Sequence, residues 1–361
     1  MDILISIYDD DLREVAMKVL FIGGTGLISS ACTELAMRRG MEHTILTRSI
    51  SNKYPIPDGV HLLKADIHAD PAQLANVLGD QNYDVVVDWL AYTPMDIERD
   101  LSLFAGKTGQ FFFISSASAY QKPPAFYLIT EETPLENPYW QYSRNKIACE
   151  RRLMQAHSES GFPVTIIRPS LTYGPSQLPL CVNSWEHPYT IIDRMRQGKK
   201  VIVPGDGTSL WVCTWNGDFA VGLVGLFSKP AAIGEAFHIT SDEVLSWNQL
   251  FEQTCTALEL TPHLIHIPAD LLAAWNDAFT GSLIGDKINS VVFDNSKIKK
   301  FVPEFDCKVT WAVGVKRTIA WFDADPIRQT IDHDADLKWD KIISTYERAF
   351  PKVDKNDLEN K

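Results

Sequence analysis

A glycine-rich turn near the start of the chain limits what these 361 residues can fold into. Residues 19–30 have the sequence VLFIGGTGLISS, so Gly23, Gly24 and Gly26 follow directly on a short apolar run. Apolar side chains then recur at positions 28, 31, 32, 35 and 36, the spacing of one helix face, before Gly40 supplies a stop signal. The segment therefore predicts a buried strand, a tight turn and a helix.

The same alternation continues through the first half of the chain. Further apolar runs that predict strands lie at 43–47, 61–66, 84–90, 110–116 and 163–169. Helical segments lie between them and include 71–79 and 139–160. Continuous apolar strands separated by helices are typical of a parallel sheet that is covered on both faces. We therefore predict an α/β fold with a doubly wound parallel sheet.

The pattern loosens after about residue 175, where turns rich in proline and glycine begin. A helix near 188–197 and a late strand at 235–240 predict a second, smaller lobe threaded through the first. The predicted division is an N-terminal extension at 1–16, a dinucleotide-binding domain at 17–175, a substrate lobe at 176–330 from which about 216–240 return to the first domain, and a charged tail at 331–361.

Composition narrows the possible partners. The net charge is −12, and an acidic surface repels phosphate backbones, so we expect no nucleic-acid partner. The six cysteines form no CxxC pair, no signal segment is evident, and no apolar run reaches membrane-spanning length. We expect reduced thiols, a cytoplasmic location, no membrane partner and no metal site.

The glycine turn has a chemical as well as a structural interpretation. A strand-to-helix turn without side chains lets backbone N–H groups approach a pyrophosphate, which then lies at the positive end of the helix. A plain tight turn is the alternative, since a lone glycine motif is weak evidence. The dinucleotide site predicted here comprises Gly23, Gly24, Thr25, Gly26, Leu27 and Ile28.

Two charged residues at later strand ends bear on the choice of cofactor. The second strand ends in Thr47-Arg48-Ser49, where a site for NAD usually places a carboxylate. Arg48 either binds the 2′-phosphate of NADP or faces solvent. Asp66, which ends the third strand, either contacts the adenine amino group or caps the following helix.

A possible catalytic set lies further along. Tyr142 and Lys146 are four residues apart in YSRNK, so a helix would place them on one face. A nearby ammonium and a cationic nicotinamide ring would both lower the pKa of the tyrosine toward a useful range. Ser116 ends the apolar run QFFFISS, where its hydroxyl either reaches a substrate oxygen or merely terminates the strand.

Taken in order, these segments resemble those of the extended short-chain dehydrogenase/reductases. Within that family the resemblance is to the NAD-dependent epimerase/dehydratase group, which includes UDP-galactose 4-epimerase. The resemblance runs from about residue 17 to 325 and rests on GGTG, Asp66, SSASAY, YSRNK, RPSLTYGP, GDGTSLW, GDFA and FDNSKIKKFVP. It implies a Rossmann-type domain, NAD or NADP as cofactor, a sugar or nucleoside substrate and a homodimer formed through the 139–160 helix. Catalysis is assigned to Ser116, Tyr142 and Lys146.

The resemblance assigns further residues as well. Cofactor contacts are extended to Ile67, Leu90, Ala91 and Pro169, and substrate contacts to Ser116, Ser118, Trp211 and Trp215. The third glycine of the family's G-x-x-G-x-x-G turn is Ser29 here, which is small enough to preserve helix packing.

The chain departs from the family pattern where the chemistry matters most. Ala117 and Ser118 stand where sugar-nucleotide 4,6-dehydratases have an Asp-Glu pair, so elimination would need other groups, such as Glu186 or His187. Two arginines that grip the diphosphate of a nucleotide sugar are replaced by Trp211 and Leu283, and a family histidine by Trp215. We therefore expect a substrate without a diphosphate, with the two indoles stacking on a base or sugar ring. The alternatives are that both tryptophans are core residues, or that Arg196, Lys199 or Lys200 replaces the missing arginines.

Three functions remain open on the sequence alone. A redox-neutral epimerase or dehydratase acting through a keto intermediate agrees best with the family. An NADPH-dependent carbonyl reductase is favoured by Arg48. A non-enzymatic RNA-associated role is the third, and the intact catalytic set and the acidic charge both argue against it.

Overall fold

The computed structural model describes residues 16–48 and 53–350. Ser49 and, apart from Ala16, the predicted extension at 1–16 lie outside this part of the chain. The strands are β1 Lys18–Ile22, β2 Glu42–Thr47, β3 His61–Lys64, β4 Tyr83–Asp88, β5 Thr108–Ile114, β6 Leu128–Ile129, β7 Val164–Pro169, β8 Leu171–Tyr173, β9 Val201–Pro204, β10 Leu210–Trp211, β11 Cys213–Trp215, β12 Ala236–Ile239, β13 Leu245–Ser246, β14 Leu264–Ile267 and β15 Val292–Phe293.

Helices occupy most of the intervening chain. They are α1 Leu27–Arg38, α2 Pro71–Leu78, α3 Pro94–Phe104, α4 Gln141–Ser160, α5 Thr190–Arg196, α6 Asn216–Gly225, α7 Trp247–Ala257, α8 Ala269–Trp275, α9 Ser296–Phe301, α10 Trp311–Asp323 and α11 His333–Arg348. A π-helical segment, Thr280–Lys287, lies between α8 and β15.

One sheet of seven strands organises the first domain, in the order β12-β7-β5-β4-β1-β2-β3. Every neighbouring pair in it is parallel, which confirms the predicted doubly wound sheet. The chain moves outward from β1 to β3 and then returns to place β4 on the other side of β1. This reversal opens a crevice at the carboxyl ends of β1 and β4, the usual ligand position in such folds.

Both faces of the sheet are buried, as the unbroken apolar strands predict. Val19 and Phe21 of β1 share a core with residues of α1, α6 and α9 on one face. Leu20 and Ile22 share a second core with residues of α2, α3 and α4 on the other face. Alternate side chains of one strand therefore fix helices on opposite sides.

The second lobe has its own core, which contains Trp211, Trp247 and Trp311. Residues 216–239 return to the first domain, because α6 packs against α1 and β12 pairs with β7.

The C-terminal region differs from the charged tail predicted at 331–361. Residues 333–348 form α11, which buries Trp339 and Ile342 against the lobe. The charges that suggest a tail are paired instead: Arg194 contacts Asp336 at 2.6 Å and Asp340 at 2.7 Å. Periodic apolar residues on one face outweigh the high charge of the segment. Residues 351–361 lie outside the described part.

Three further observations concern membrane spans, cysteines and metal ligands. Within residues 16–48 and 53–350, no helix is both long and apolar enough to cross a bilayer. All six cysteines are free. No cluster of three or more His, Cys, Asp or Glu side chains suited to a metal ion occurs among the described residues.

Candidate active site

The glycine turn lines a cleft of about 840 Å³ at the carboxyl ends of β1, β2 and β4. Gly23 has a φ of +82°, and a Cβ there would lie 2.7 Å from Leu90 Cγ. A Cβ at Gly26 would meet only Ser29 Oγ, at 3.4 Å, so this residue opens onto the cleft. The turn therefore needs glycine for its own conformation at one position and leaves room for a ligand at the other.

Ser29 does more than fill the third glycine position. Its hydroxyl accepts a hydrogen bond from the Gly26 N–H at 2.9 Å, and the residue is 3 % exposed. It thereby satisfies one of the free donors at the start of α1 while keeping the helix close to the sheet. Gly23 donates its N–H to the Leu46 carbonyl at 2.9 Å, so a pyrophosphate would rely on the N–H groups of Thr25 and Leu27, which line the cleft.

The cleft collects most of the residues predicted to bind cofactor. It is lined by Gly23, Thr25, Gly26, Leu27, Ile28, Arg48, Asp66, Ile67, Leu90, Tyr142, Lys146 and Pro169. Gly24 and Ala91 are the two predicted residues that do not line it. Gly24 packs on Ile45 beneath the turn, and Ala91 is buried and turns its carbonyl toward Lys146.

Arg48 and Asp66 lie together at the far end of the cleft. The Arg48 guanidinium is 3.8 Å from the Asp66 carboxylate, with the two side chains 62 % and 44 % exposed. Asp66 also accepts the His68 N–H at 3.0 Å, whereas α2 is capped by Asp70. The alternative assignment of Asp66 as the cap of that helix is therefore wrong, and both charged groups remain available to a ligand.

Lys146 is held from two sides by backbone. Its ammonium donates to the carbonyl oxygens of Ala91 and Ile114, at 2.7 Å each, and leaves one N–H free. Burial lowers the pKa of Lys146 to about 8. The amine is therefore mainly protonated at neutral pH and loses its charge just above it.

Asp88 positions the loop that carries one of these carbonyls. Its side chain accepts the N–H groups of Leu90 at 2.5 Å and Ala91 at 3.0 Å, and pairs with Arg99 at 3.0 Å. A carboxylate at the end of β4 thus fixes the backbone that fixes Lys146. Its place between the predicted strand and Leu90 is the sequence signal for this role.

Tyr142 lies in the first turn of α4, one turn before Lys146, with its ring between those of Tyr92 and Trp140. Burial raises the pKa of Tyr142 to about 12, and a hydrogen bond from Ser116 only partly opposes that rise. The expectation that Lys146 lowers this pKa is therefore not met by the groups of the chain itself. The Lys146 ammonium is 5.8 Å from the centre of the ring, and its contacts are with backbone carbonyls.

Three hydroxyl groups form a short chain beside Tyr142. Ser116 Oγ is 2.9 Å from Ser118 Oγ, which accepts a hydrogen bond from Ser143 at 2.7 Å. Ser118 is buried, and its carbonyl accepts the side-chain amide of Asn137. Ser116 is therefore held in place by neighbours rather than simply ending β5.

A second cavity of about 680 Å³ begins where the cleft ends. Its walls are mainly apolar and come from both domains, including α11. The residues lining both spaces are Tyr92, Ser116, Tyr142, Pro169, Ser170, Leu171 and Trp185. The predicted hydroxyl and phenol thus stand at the junction of a cofactor-sized cleft and a substrate-sized cavity.

The predicted substrate-binding residues divide between this cavity and the core. Ser116, Ser118 and Trp211 line the cavity. Trp215 does not: it borders a different groove, its ring packs on Tyr173 at 5.3 Å, and Arg317 lies over it at 5.6 Å. Substrate stacking by Trp215 is therefore not supported, because helix α6 begins at this point and directs the indole away.

Several cavity residues escape prediction from the sequence. Lys122, Trp140, Trp185 and Asp286 all line the cavity. Lys122 follows Ser116 by six residues, and Asp286 follows Leu283 by three, so proximity to known motifs is the one available signal. Nothing in the local pattern shows that these two residues meet.

Comparisons with known proteins agree with this geometry. The model of the NAD dependent epimerase/dehydratase family matches residues 99–240. The UDP-N-acetyl-alpha-D-glucosaminuronate decarboxylase of Bacillus cytotoxicus is 24 % identical over 84 % of this chain and 97 % of its own length. The human dTDP-D-glucose 4,6-dehydratase is 23 % identical over 85 % of this chain and 90 % of its own length.

Solved structures give the same fold. An epimerase from Methanothermobacter thermautotrophicus superposes with a TM-score of 0.72 at 19 % identity, over 88 % of this chain and 96 % of its own. The UDP-glucuronic acid 4-epimerase of Bacillus cereus, solved with UDP-glucuronic acid and NAD, gives 0.67 at 19 % identity, over 85 % and 99 %.

Residues 99–240 therefore match the NAD dependent epimerase/dehydratase family, and most of the chain is similar in sequence and in fold to enzymes of that kind. The predicted family, Rossmann-type fold and enzyme class are confirmed, as is NAD(P) as the class of cofactor.

Proposed function

We propose that the protein is a redox-neutral, NAD(P)-dependent epimerase or dehydratase that acts through a keto intermediate on a sugar or nucleoside without a diphosphate. The observation that carries the proposal is the position of Ser116 and Tyr142, which line both the cofactor cleft and the substrate cavity. A substrate hydroxyl placed there would touch both side chains and lie next to the cleft.

The residues of the cleft fit a dinucleotide. The Gly23–Gly26 turn has room for a pyrophosphate, and Lys146, which uses two of its three N–H groups on carbonyls, also lines the cleft. A bound nicotinamide cofactor would supply a reversible hydride acceptor, which no side chain of the protein can provide.

The chain's own groups would manage the proton. Tyr142 removes the proton of the substrate hydroxyl and later returns it, and Ser116 donates a hydrogen bond to the oxygen that becomes a carbonyl. The raised pKa of Tyr142 keeps its own proton in place at neutral pH. Tyr142 therefore becomes an effective base only when positive charge is brought beside it.

The charges around the cavity support a substrate without a diphosphate. Among the described residues, no arginine lines the cavity, and Leu283 is fully buried. The suggested replacements are engaged elsewhere: Arg196 pairs with Asp323, Lys199 with Asp336, and Lys200 with Glu347. The cations that line the cavity are lysines, and two of them, Lys122 and Lys287, lie near the Asp286 carboxylate. A buried diphosphate would therefore meet a carboxylate beside its cationic partners and no arginine, so a substrate of lower charge fits better.

The choice between epimerisation and dehydration rests on the carboxylates in reach. Ala117 and Ser118 are buried beside Ser116, and neither Glu186 nor His187 lines the cavity. Because Glu186 and His187 are absent from the lining, epimerisation is favoured over dehydration. Asp286 and Asp332 are the carboxylates that do line it, and Asp332 caps α11.

A net reductase using NADPH is the second candidate, because Arg48 lies in the cleft. A cytoplasmic location, a homodimer formed through α4 and the absence of a nucleic-acid partner remain part of the proposal.

The test begins with the nucleotide that the purified protein carries. We expect denaturation to release NAD or NADP, which mass spectrometry identifies. Turnover of a sugar substrate should then proceed without added cofactor. Stoichiometric consumption of NADPH would replace the proposal with the reductase. Calorimetric titration with UDP-glucose tests the substrate class, because tight, salt-sensitive binding with turnover would contradict it.

A further inference from the structure

One wall of the substrate cavity contains an ion pair that the proposed chemistry does not use. Lys122 Nζ lies 3.3 Å from Asp286 Oδ1, and the lysine side chain is 2 % exposed. Lys287 lies on the other side of Asp286, 3.8 Å from Oδ2. Such a pair is rarely kept inside an apolar cavity for stability, because desolvation consumes most of the gain.

Beside this pair is an indole donor without a partner. Trp211 Nε1 is buried and makes no hydrogen bond within the described structure. The Lys122 ammonium lies over the Trp211 ring, 5.5 Å from its centre. The neighbouring Trp247 donates its own Nε1 to the Lys287 carbonyl at 2.8 Å, so the local fold can satisfy an indole here and does not satisfy Trp211. A buried N–H left unpaired is costly and therefore needs an explanation.

The ion pair is connected to the loop after β5 that carries Ser116 and Ser118, called the catalytic loop here. Asn137 donates from one amide to the carbonyls of Ser118 at 2.9 Å and Gly285 at 2.8 Å, next to Asp286. The segment bearing Asp286 is thus fixed relative to the catalytic hydroxyls. The electrostatic effect of Asp286 also reaches Tyr142, whose pKa it helps to raise.

We propose that Lys122, Asp286 and Trp211 form a hydroxyl-binding subsite that selects an uncharged sugar ring. This inference rests on the proposed function and names its substrate class. Lys122 and Trp211 offer N–H donors, and Asp286 offers an acceptor. A ring hydroxyl both accepts and donates, so it satisfies all three groups together. A substrate anion would gain from Lys122 but would meet the Asp286 carboxylate at the same place.

The first test removes only the indole donor. Trp211→Phe keeps an aromatic ring against Trp247, and calorimetry measures binding of methyl β-D-glucopyranoside, methyl β-D-galactopyranoside and the monodeoxy analogues of each. We expect Trp211→Phe to weaken binding of the better glycoside about two- to tenfold, the range for one neutral hydrogen bond. One deoxy analogue should bind wild type more weakly than its parent glycoside does. That analogue should bind Trp211→Phe and wild type with the same affinity. Trp321→Phe is the matched control, because Trp321 lines neither space.

The second test removes the ammonium. Lys122→Met leaves Asp286 with Lys287 as a partner, which guards against misfolding, and we expect about a 10- to 100-fold loss of glycoside affinity. Lys338→Met removes another cavity cation without disturbing the pair. An equal loss in both lysine variants would attribute the effect to general charge and overturn the subsite.

Other outcomes also overturn the inference. The first is that neither neutral glycoside binds measurably, and the second is that every analogue binds wild type and Trp211→Phe equally. The third is that methyl β-D-glucuronide or UDP-glucose binds more tightly than the neutral glycosides and that Lys122→Met abolishes this binding. Failure of the proposed function is separable, because Tyr142→Phe affects turnover and leaves these binding measurements in place.

Discussion

The cofactor cleft and the substrate cavity meet at Tyr142 but are built in different ways. The cleft lies on strand ends of one sheet and is formed largely by the glycine turn and short loops after β1, β2 and β4. The cavity draws its walls from both domains, between Tyr92 and Ile342. The shape of the cleft is therefore set by the backbone, whereas the lining of the cavity is set by side chains that are far apart in sequence.

That difference decides which changes are tolerated. The fold is shared with a solved structure at 19 % identity, so the backbone shape that forms the cleft tolerates wide changes of side chain. Trp211 and Leu283, which stand at the positions of the family's two arginines, both pack into the core of the second lobe, away from the sheet. The substrate of a protein with this fold must therefore be inferred from the side chains that line the cavity, and not from the dinucleotide-binding domain.

The largest effect is expected at the junction. Tyr142→Phe keeps the ring between Tyr92 and Trp140 and removes the ionisable hydroxyl. We expect kcat to fall by about 10²- to 10⁴-fold, the usual contribution of general acid–base catalysis. The assay is turnover of the sugar substrate under saturating conditions. Cofactor affinity, measured in parallel, should change little, and near-normal turnover would remove Tyr142 from the mechanism.

A change confined to the cleft comes next. In Gly26→Val, the new Cβ meets only Ser29 Oγ, at 3.4 Å, and the residue lines the cleft, so we expect the added methyl groups to occupy ligand space. We expect folding to survive and affinity for NAD and NADP to fall by at least about tenfold, equivalent to 1.4 kcal/mol. Calorimetry measures the affinity, and thermal unfolding of the cofactor-free protein is the control. Unchanged affinity would show that the pyrophosphate lies elsewhere.

The same contrast explains what the sequence could predict. The sheet, the glycine turn and the cleft follow from local patterns, because each strand end carries its ligand residues within a few positions of an apolar run. Lys122 and Asp286 are 164 positions apart, and their contact depends on how the π-helical segment folds back over the catalytic loop. Single-sequence periodicity carries no information about such a meeting.

Two misassignments have the same origin. Trp215 follows the cavity residue Trp211 by four positions, but it stands at the start of α6 and its indole packs on Tyr173. The helix α11 escapes prediction because its acidic residues suggest solvation, whereas Arg194 and Lys199 neutralise them in the folded lobe. In both cases tertiary contacts override a local signal.

Lys146 gives a pH-dependent prediction on the cofactor side. Because burial lowers its pKa to about 8, the free protein holds a charged Lys146 below pH 8 and a neutral one above it. If the ammonium binds the cofactor, affinity should be flat below about pH 7 and fall about tenfold per pH unit above 8.

The control for this prediction is Lys146→Met, which should bind weakly at every pH and lose the dependence. Stability should move in the opposite direction. The unfolded lysine still binds a proton between pH 8 and about 10, so the free energy of unfolding of wild type should rise with pH there relative to Lys146→Met. A pH-independent affinity in wild type would show that Lys146 does not contact the cofactor.

The smallest effect is expected at the far end of the cleft, where Arg48 and Asp66 share an exposed site. Arg48→Asp replaces the cation that would face a 2′-phosphate with a second carboxylate suited to ribose hydroxyls. Because Arg48 is 62 % exposed, we expect the ratio of NADP to NAD affinity to fall by only about fivefold, the upper end for an exposed ion pair, and the effect to shrink as salt is added. Arg38 is the matched control: it is 65 % exposed and does not line the cleft, so Arg38→Asp should leave the ratio unchanged. Equal titrations of both cofactors against wild type and Arg48→Asp would show that Arg48 takes no part in cofactor choice.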